Sequence, residues 1–551
     1  MDIQGRTILL LGGSGLVGLA IARDLLPHGP RRVVIAALRR AEAEEGVREL
    51  SAHPAAAGVE LVPEWGDVFL RPGRRDESRR DLLRSDEGRA EILDDLFGDL
   101  REDDFRRSRL FDLIDGYRPE IIIDCINTAT AIAYQDVFNS AQGLRELIRG
   151  GGHPTVADVE AHLTTLYLPQ LIRHVQGLMY AMRSAGTLFY LKIGTSGTGG
   201  MGLNIPFTHS EERPSPTLLS KASVAGAHSA LLFLMGRTPG GPVVKEVKPT
   251  AAVAWKRIRY GEVTRAGRPI PRFDCTEALP LEAAFGAAVE VKATPTGENL
   301  ESVYLDAGEN GLFSLGEFET ISALGMMELV TPEEIADAVI SELRGRPTGR
   351  EIVGALDAAT MGPTYRGGAM REAAMVSMER LEREHDVRSV AFEMLGPPRL
   401  SKLLFEAEIL RRLLNDIAMA CELDPADVSD RAGRLLSDDA RLRSDIVSIG
   451  IPILLSDGEG ILRGPTVSVE PDAGDTRASW ADRGWVDLRP ASWSAWRRRC
   501  ADFRERVVEA PGAEHGSSID LDVRSRSGEI RPGALAAFVF RYEDAGERIK
   551  R

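Results

Sequence analysis

An apolar run near the start of the chain leads directly into a cluster of glycines. Residues 8–11 are all apolar, glycines follow at positions 12, 13, 15 and 18, and apolar side chains then recur at helical spacing up to Leu25. This order predicts a strand, a tight turn and a helix, because glycine lets the backbone turn sharply and come close to a ligand. The N–H groups at such a helix start bind phosphate. We therefore expect a dinucleotide site formed by Gly12, Gly13, Ser14, Gly15, Leu16, Val17 and Gly18; a tight turn without a ligand is the alternative.

The length of 551 residues is too great for one ordinary domain. We expect two regions. The first is an α/β domain with a Rossmann-type, doubly wound parallel sheet over residues 1–360, carrying a charged insertion at about 70–115. The second is a C-terminal extension of helices and mixed α/β structure over residues 361–551.

Charge and cysteine content exclude several classes of protein. The chain has 68 Lys and Arg against 83 Asp and Glu, a formal net charge of -15, which argues against a nucleic-acid partner. No apolar run approaches the roughly 18 residues of a membrane span. Four scattered cysteines without a CxxC pair indicate neither disulfides nor a metal site, and are typical of a reduced, cytoplasmic protein. We expect a small-molecule substrate, no metal and a possible homo-oligomer.

Two arginines follow the second predicted strand, residues 32–38. A Rossmann unit specific for NAD carries an acidic residue near this point, where it binds the ribose hydroxyls. Alanines stand there in this sequence, and Arg39 and Arg40 follow. The missing acid and the added positive charge favour NADP, with NAD as the weaker candidate. The alternative is that both arginines begin a solvated helix.

Polar residues follow the third and fourth predicted strands. Asp67 and Val68 come after residues 59–62, and Asn127 comes after the mainly apolar stretch 121–126. Ligands gather beyond the carboxyl ends of parallel strands, so all three residues are candidate cofactor contacts. Asp67 and Asn127 serve equally well as caps of their own loops.

A further set of motifs lies between residues 188 and 221. The fifth predicted strand, 188–193, is followed by Thr195 and Ser196. Glu212 and Pro214 then precede a helix that carries Thr217 and, three and four residues later, Ser220 and Lys221.

This ordered set of motifs resembles the extended and atypical short-chain dehydrogenase/reductases, the group that includes nucleotide-sugar epimerases and dehydratases. The resemblance covers about residues 1–355, since 243–249 is similar to the sixth strand of that family and 331–339 to its late helix. It implies that Thr195 and Ser196 orient a substrate carbonyl, and that Lys221 holds the nicotinamide ribose.

One position departs from the family pattern. The family places a tyrosine four residues before the lysine, where it exchanges a proton with the substrate oxygen, and this sequence has Thr217. A threonine hydroxyl is a poor acid near neutral pH, unlike tyrosine with its pKa of about 10. His209 is the first substitute to consider, because histidine titrates near neutrality. Tyr134 and Tyr365 are further candidates by residue type alone.

The resemblance predicts an NADP-dependent oxidoreductase, epimerase or dehydratase acting on a small molecule with a carbonyl or hydroxyl group. The alternative is a sensor or scaffold that binds NAD(P) without turnover. No family is evident for 365–551. Local patterns there predict helices near 369–384 and 400–420, a helix capped by Asp424, a hairpin at 451–463, a helix carrying Trp493, and a last strand at 534–542. Packing, a lid or an oligomer contact are equally open as roles for this region.

Overall fold

The structure is a computed structural model of the chain. It describes residues 1–98, 102–133, 135, 137–194, 216–249, 251–265, 267–286, 289–308, 311–324, 329–346, 358–361, 364–394, 397–414, 416–472, 474, 476–509 and 527–544.

Strands and helices alternate over the first part of the chain. The strands of the described residues are β1 (Thr7–Leu11), β2 (Arg32–Ala37), β3 (Glu60–Trp65), β4 (Ile121–Asp124), β5 (Phe189–Ile193), β6 (Val243–Pro249), β7 (Ala251–Ala252), β8 (Arg257–Glu262), β9 (Thr264–Arg265), β10 (Arg268–Pro269), β11 (Pro271–Asp274), β12 (Leu279–Pro280), β13 (Thr294–Asn299), β14 (Glu301–Asp306), β15 (Leu312–Phe313), β16 (Leu329–Val330), β17 (Ala358–Met361), β18 (Ile453–Leu454), β19 (Gly460–Leu462) and β20 (Val486–Asp487).

The helices of the same residues are α1 (Leu16–Leu25), α2 (Arg40–Ser51), α3 (Arg79–Leu82), α4 (Asp86–Phe97), α5 (Glu102–Phe105), α6 (Arg109–Tyr117), α7 (Thr128–Ala133), α8 (Val137–Arg149), α9 (Val156–Leu163), α10 (Tyr167–Ala185), α11 (Pro216–Gly236), α12 (Leu315–Ser322), α13 (Pro332–Leu343), α14 (Tyr365–His385), α15 (Pro398–Leu413), α16 (Ile417–Cys421), α17 (Pro425–Asp438), α18 (Ala440–Ser448), α19 (Arg477–Gly484), α20 (Pro490–Phe503) and α21 (Pro532–Phe538).

The main sheet is parallel and doubly wound. Seven strands lie in the order β17-β6-β5-β4-β1-β2-β3, and every neighbouring pair is parallel. The order reverses between β1 and β4, which is the point where dinucleotides bind in such sheets. The predicted Rossmann-type α/β fold is confirmed.

Helices cover both faces of this sheet, which explains why its central strands are continuous apolar runs. Ile8 and Leu10 pack with α1 and α13 on one face. Leu9 and Leu11 face the other side, in the cluster to which α6, α10 and α11 contribute. The insertion between β3 and β4 is helical, and several of its arginines pair with acids; Arg71, for example, donates to Asp95 through both Nε and Nη2.

Contacts within the chain divide the described residues into two compact units. The first comprises those within 1–202, 214–254 and 329–367, and the second those within 255–328 and 368–551. The second unit therefore takes residues from both sides of the β16–β17 region, unlike a single division near residue 360. Within it, Asp274 at the end of β11 accepts hydrogen bonds of 2.7 and 2.8 Å from Arg443 of α18.

The second unit is built around α15, whose residues 399–410 are all buried. Several predictions for this region are confirmed: α17 begins after Asp424, whose carboxylate accepts the Ala426 N–H at 3.0 Å, β18 and β19 form an antiparallel hairpin, and Trp493 is buried on α20. The predicted helix at 400–420 is two helices, α15 and α16.

The last strand predicted, at 534–542, is wrong. Residues 532–538 form α21, and the chain continues as a π-helix over 539–543. The apolar run is buried throughout and is rich in alanine, and Pro532 occupies the first helical turn. In a short run that is buried on all sides, apolar residues occupy every position, so their spacing does not distinguish a helix from a strand. Within the described residues, no helix is both long enough and apolar enough to cross a membrane.

Candidate nucleotide-binding site

The glycine turn after β1 has no room for side chains at three of its four glycines. Gly12 has a φ of 72°, and a Cβ placed on it would lie 3.1 Å from the Cys125 carbonyl carbon. A Cβ on Gly18 would lie 2.5 Å from the Gly12 oxygen. At Gly15, by contrast, the nearest atom is 3.4 Å away. The turn is therefore closed towards the protein and open at Gly15.

The open side of this turn is the start of α1. Gly15 is the N-cap, it supplies no side-chain hydrogen bond, and the first turn of the helix contains no acidic residue. The first backbone N–H groups of α1, at Leu16 and Val17, thus keep their affinity for an anion, reinforced by the helix dipole. A glycine cradle of this shape, at the switch point of a doubly wound sheet, fits a dinucleotide pyrophosphate.

Backbone hydrogen bonds tie the neighbouring strand ends to this turn. Gly13 donates to the Ala36 oxygen at 3.0 Å, at the end of β2, and Gly66 donates to the Ala37 oxygen at 3.0 Å. On the other side, Cys125 donates to the Leu11 oxygen at 2.8 Å. The ends of β3, β2, β1 and β4 therefore form one continuous edge.

Three arginines lie around the end of β2 and β3. Arg40 and Arg75 both stack on the ring of Trp65, with guanidinium carbons 4.9 and 4.4 Å from a ring centroid. The Trp65 indole N–H donates to Asp76 at 2.7 Å, which holds the segment that carries Arg75 against the strand end. Arg39 is the N-cap of α2, and its side chain is 77% exposed.

These arginines differ in how far acids neutralise them. Arg40 donates to Glu44 at 2.8 Å, and this hydrogen bond raises its pKa. Arg39 has a long ion pair of 3.9 Å with Glu42, and Arg75 one of 3.7 Å with Asp76. Arg39 and Arg75 are therefore better placed than Arg40 to bind an additional anion.

Asp67 and Val68 lie in the turn after β3. The Asp67 carboxylate accepts the Phe69 N–H at 2.9 Å, as a loop cap does, and burial raises its pKa. Val68 is buried in the core on the α6 side. Both lie at the sheet edge, and their contact with a cofactor stays a prediction.

Asn127 is exposed and directly precedes α7. Beneath it lies a buried ion pair between Asp124, the last residue of β4, and Lys192 of β5. The Lys192 ammonium is 2.9 Å from Asp124 Oδ1, and it also donates to the Ile126 oxygen at 2.5 Å and to Thr128 Oγ1 at 3.2 Å. Burial disfavours the carboxylate, but the Lys192 charge and the hydrogen bonds from Lys192 and Tyr190 together lower the pKa of Asp124.

The ion pair belongs to a larger buried polar cluster between the sheet and the helices α10 and α11. Tyr190 donates to Asp124 at 2.8 Å, and the rings of His174 and His228 lie 6.1 Å apart. Burial lowers the pKa of His174 to about 4 and also lowers the pKa of His228 well below its ordinary value. Among the described residues, the Nε2 atoms of both histidines have no hydrogen-bond partner. Both rings are therefore neutral near physiological pH.

Residues 272–544 match the family model described as the Beta-methylindole-3-pyruvate reductase C-terminal domain. This range includes most of the second unit and also residues 329–367 of the first. It does not include the glycine turn. A comparison with curated proteins found no match.

Solved structures that match this chain include Pen and chains described as short-chain dehydrogenases. Pen from Bacillus thuringiensis is 10% identical over 48% of this chain, with a TM-score of 0.24, and the match spans 52% of Pen, about half of its length. A short-chain type dehydrogenase/reductase from Mycobacterium ulcerans is 18% identical, covering 45% of this chain and 68% of that one, with a TM-score of 0.26. A short-chain dehydrogenase from Sphingobium yanoikuyae, in complex with NADPH, is 14% identical over 70% of this chain and 96% of that one, with a TM-score of 0.29.

The residues expected to act on the substrate are only partly described. Lys221 is buried on α11, next to buried Ser220, and the backbone of Thr217 belongs to the first turn of the same helix. The other candidates Thr195, Ser196, His209 and Tyr134 lie outside the described residues. Tyr365 is 94% exposed at the start of α14.

Sequence reasoning missed Trp65, Arg75, Asp124 and Lys192. The last two had a readable signal, because a single charge near the end of an otherwise apolar strand is unusual and the two charges are opposite. Trp65 and Arg75 had none, since a tryptophan at a strand end and an arginine in a highly charged insertion are both ordinary.

Proposed function

We propose that the chain is an NADP(H)-dependent oxidoreductase that reduces the keto group of a 2-oxo acid with an aromatic side chain. The observation that carries the cofactor proposal is the glycine cradle at the uncapped start of α1. A pyrophosphate satisfies the helix N–H groups there without meeting a side chain.

The preference for NADP rests on charge at the β2 and β3 ends. No acidic residue stands at Ala36 or Ala37 to bind a ribose hydroxyl, and Arg39 and Arg75 are only weakly paired. A 2′-phosphate supplies the anion that these guanidinium groups lack, and such charge-assisted hydrogen bonds are the strong ones.

The substrate class is supported by the family model, which is named for a reductase of β-methylindole-3-pyruvate. The nicotinamide supplies a hydride for the carbonyl carbon. The chain has to bind the cofactor, orient the carbonyl and deliver a proton to its oxygen. In this proposal Thr195 and Ser196 orient the carbonyl, Lys221 binds the nicotinamide ribose, and His209 or Thr217 passes on the proton.

To test this, purified protein is mixed with NADPH or NADH and a set of ketones. The near-ultraviolet absorbance of the reduced nicotinamide then measures its oxidation. The set contains indole-3-pyruvate, its β-methyl homologue and, for the epimerase or dehydratase alternative, nucleotide sugars. We expect turnover of the indolyl 2-oxo acids with NADPH. Failure of both NADPH and NADH to bind contradicts the whole proposal.

The second candidate function is an NADP-binding protein without turnover, and Thr217 favours it. Thr217→Tyr restores the proton donor of the resembling family, and Thr217→Val removes the hydroxyl at nearly constant volume. If Thr217 passes on the proton, at least one of these variants changes the rate of ketone reduction while NADP binding is retained; if His209 does, Thr217→Val leaves that rate nearly unchanged. Tight NADP binding with no turnover by the wild type or either variant supports the second candidate.

A further inference from the structure

The Asp124–Lys192 ion pair forms hydrogen bonds with residues 126–128, the corner between β4 and α7. Lys192 donates to the carbonyl oxygen of Ile126 and to Thr128 Oγ1, while Asp124 accepts the backbone N–H of Ile126 at 2.9 Å. Both backbone polar groups of Ile126 are thus bound by this one ion pair. The Thr128 N–H also donates to the Ile126 oxygen, at 2.8 Å, so the buried charges and one local hydrogen bond together fix the position of the corner.

The same corner supports the glycine turn. The space a Cβ would occupy at Gly12 lies 3.1 Å from the Cys125 carbonyl carbon and 3.2 Å from the Ile126 nitrogen. A movement of Ile126 therefore presses on Gly12 or leaves it unsupported. Among the described residues, no hydrogen bond or ion pair joins Asp124 or Lys192 to Trp65, at the adenosine side of the proposed site, and that side is anchored separately by Gly66 and Asp76.

From these contacts we propose that Asp124 and Lys192 are positioning residues, which fix the 126–128 corner as the support for the nicotinamide half of the cofactor. This inference rests on the proposed dinucleotide function. Across a sheet ordered 3-2-1-4-5, the adenosine half of a dinucleotide lies over β1 to β3, and the nicotinamide half lies over β4 and β5. The pair lies beneath the second half only.

Stability alone does not account for such a pair. Taking two charges out of water is costly, and replacing a buried ion pair with apolar residues is often neutral or stabilising. The pair binds both backbone polar groups of Ile126. The two charges therefore position the 126–128 corner, which a pair of apolar side chains does not do.

The experiment compares binding of whole NADP with binding of adenosine 2′,5′-bisphosphate, a fragment that carries only the adenosine half. In Lys192→Met, NADP affinity should fall about tenfold or more, because a small displacement of the residues that position a ligand weakens its binding and reactivity. Fragment affinity should stay within about twofold of the wild type, which is about 0.4 kcal/mol. The ratio of the two affinities is the readout, because general damage lowers both together.

Lys192→Met leaves Asp124 buried without its partner and risks unfolding. The double variant Asp124→Asn/Lys192→Met removes both charges, should fold, and should show the same selective loss of NADP. The matched control is Lys245→Met. Lys245 of β6 also forms an ion pair with a buried acid, at 2.8 Å from Glu342. It lies opposite Leu191, the residue before Lys192, so its side chain points to the other face of the sheet, towards α13. It should leave both affinities unchanged.

Three results overturn the inference. They are an unchanged NADP affinity in the folded double variant, an equal loss for NADP and for the fragment, and a selective NADP loss in Lys245→Met as well. If the wild type binds neither NADP nor the fragment, the proposed function itself is wrong, and this inference fails with it.

Discussion

Lys192 faces Asp124 across the register of two neighbouring parallel strands, and neither residue is more than 2% exposed. The register continues to Glu246 on the next strand, so alternating charges cross the sheet at its carboxyl edge. Burial raises the pKa of Glu246, although Lys248 partly offsets this. A position that is apolar in most parallel sheets is therefore occupied here by a charged row, covered by His174 and His228.

The first prediction concerns His174, one of the two histidines that cover the charged row. His174 has a folded-state pKa of about 4, whereas an unfolded histidine titrates near 6.5. Because the folded pKa is the lower one, the stability it contributes is complete above pH 6.5 and is lost as the pH falls towards 4. The loss between about pH 7.5 and about pH 5 is on the order of 2 kcal/mol.

His174→Leu should flatten this pH dependence, as measured by urea unfolding at the two pH values. Part of it remains, because the pKa of His228 is shifted in the same direction. His153→Leu, at an exposed position, is the control and should keep the wild-type dependence. An undiminished pH dependence in His174→Leu would show that His174 is not a neutral buried group.

The second prediction concerns the open glycine. Gly15→Asp should lower NADP affinity about tenfold or more, because the new carboxylate repels the pyrophosphate. The fold should be retained, since a Cβ at Gly15 meets nothing closer than 3.4 Å and its φ of -71° suits any residue. Isothermal titration with NADP measures the change. Gly116→Asp, on α6 with nothing within 4 Å, adds the same charge elsewhere and should not affect binding.

Gly18→Ala provides the contrast within the same turn. Its Cβ would lie 2.5 Å from the Gly12 oxygen and 2.8 Å from the Gly13 Cα, so the turn must shift. We expect loss of both thermal stability and NADP binding, whereas Gly15→Asp loses binding alone. Equal stability losses in the two variants would refute this distinction.

The third prediction separates the arginines. Arg39→Ala and Arg75→Ala should each weaken NADP about tenfold, or about 1.4 kcal/mol, and leave NAD nearly unchanged. Arg40→Ala should have a smaller effect, because Glu44 already neutralises its charge. Binding titrations with both cofactors test this. Arg84→Ala, an exposed arginine paired with Asp81, is the control; similar losses of NADP and NAD in Arg75→Ala would exclude a role with the 2′-phosphate.

The fourth prediction concerns the core of the second unit. Arg399 on α15 is 2% exposed and is hydrogen-bonded to Asp482 and, at 2.9 and 3.0 Å, to Asp544. Arg399→Leu leaves the buried Asp544 carboxylate, 7% exposed, without its cation and should cost about 3–5 kcal/mol of unfolding free energy. Arg504→Leu breaks an exposed pair with Glu509 and should lower the unfolding free energy much less. Chemical denaturation measures the free energy of unfolding of both variants. Equal losses in the two would contradict the structural role of Arg399.

The local features of this chain are the ones its sequence predicts well. The turn at Gly12 to Gly18 depends on neighbouring residues, and so does the cap at Asp424, so periodicity and residue type suffice for both. The parallel sheet covered by helices follows from alternating strands and helices, whose crossovers have one favoured hand.

Contacts between distant residues are what the sequence does not predict. Lys192 and Asp124 are 68 residues apart, and only the register of β4 and β5 brings them together. Arg75 reaches Trp65 only because a positive φ of 119° at Gly66 lets the insertion fold back over the strand end. The helix at 532–538 was predicted as a strand because uniform burial leaves a sequence without periodicity.

The pairing of Asp274 with Arg443 has a consequence for how the protein is made. These residues are 169 positions apart in the chain, so Asp274 leaves the ribosome well before its partner. At about 5–20 residues per second the delay is roughly 10–30 s. During that time β11 lacks the helix against which it packs, while the strands from β1 to β6 have already been synthesised. Translation speed and chaperone access therefore bear most heavily on the middle of the chain.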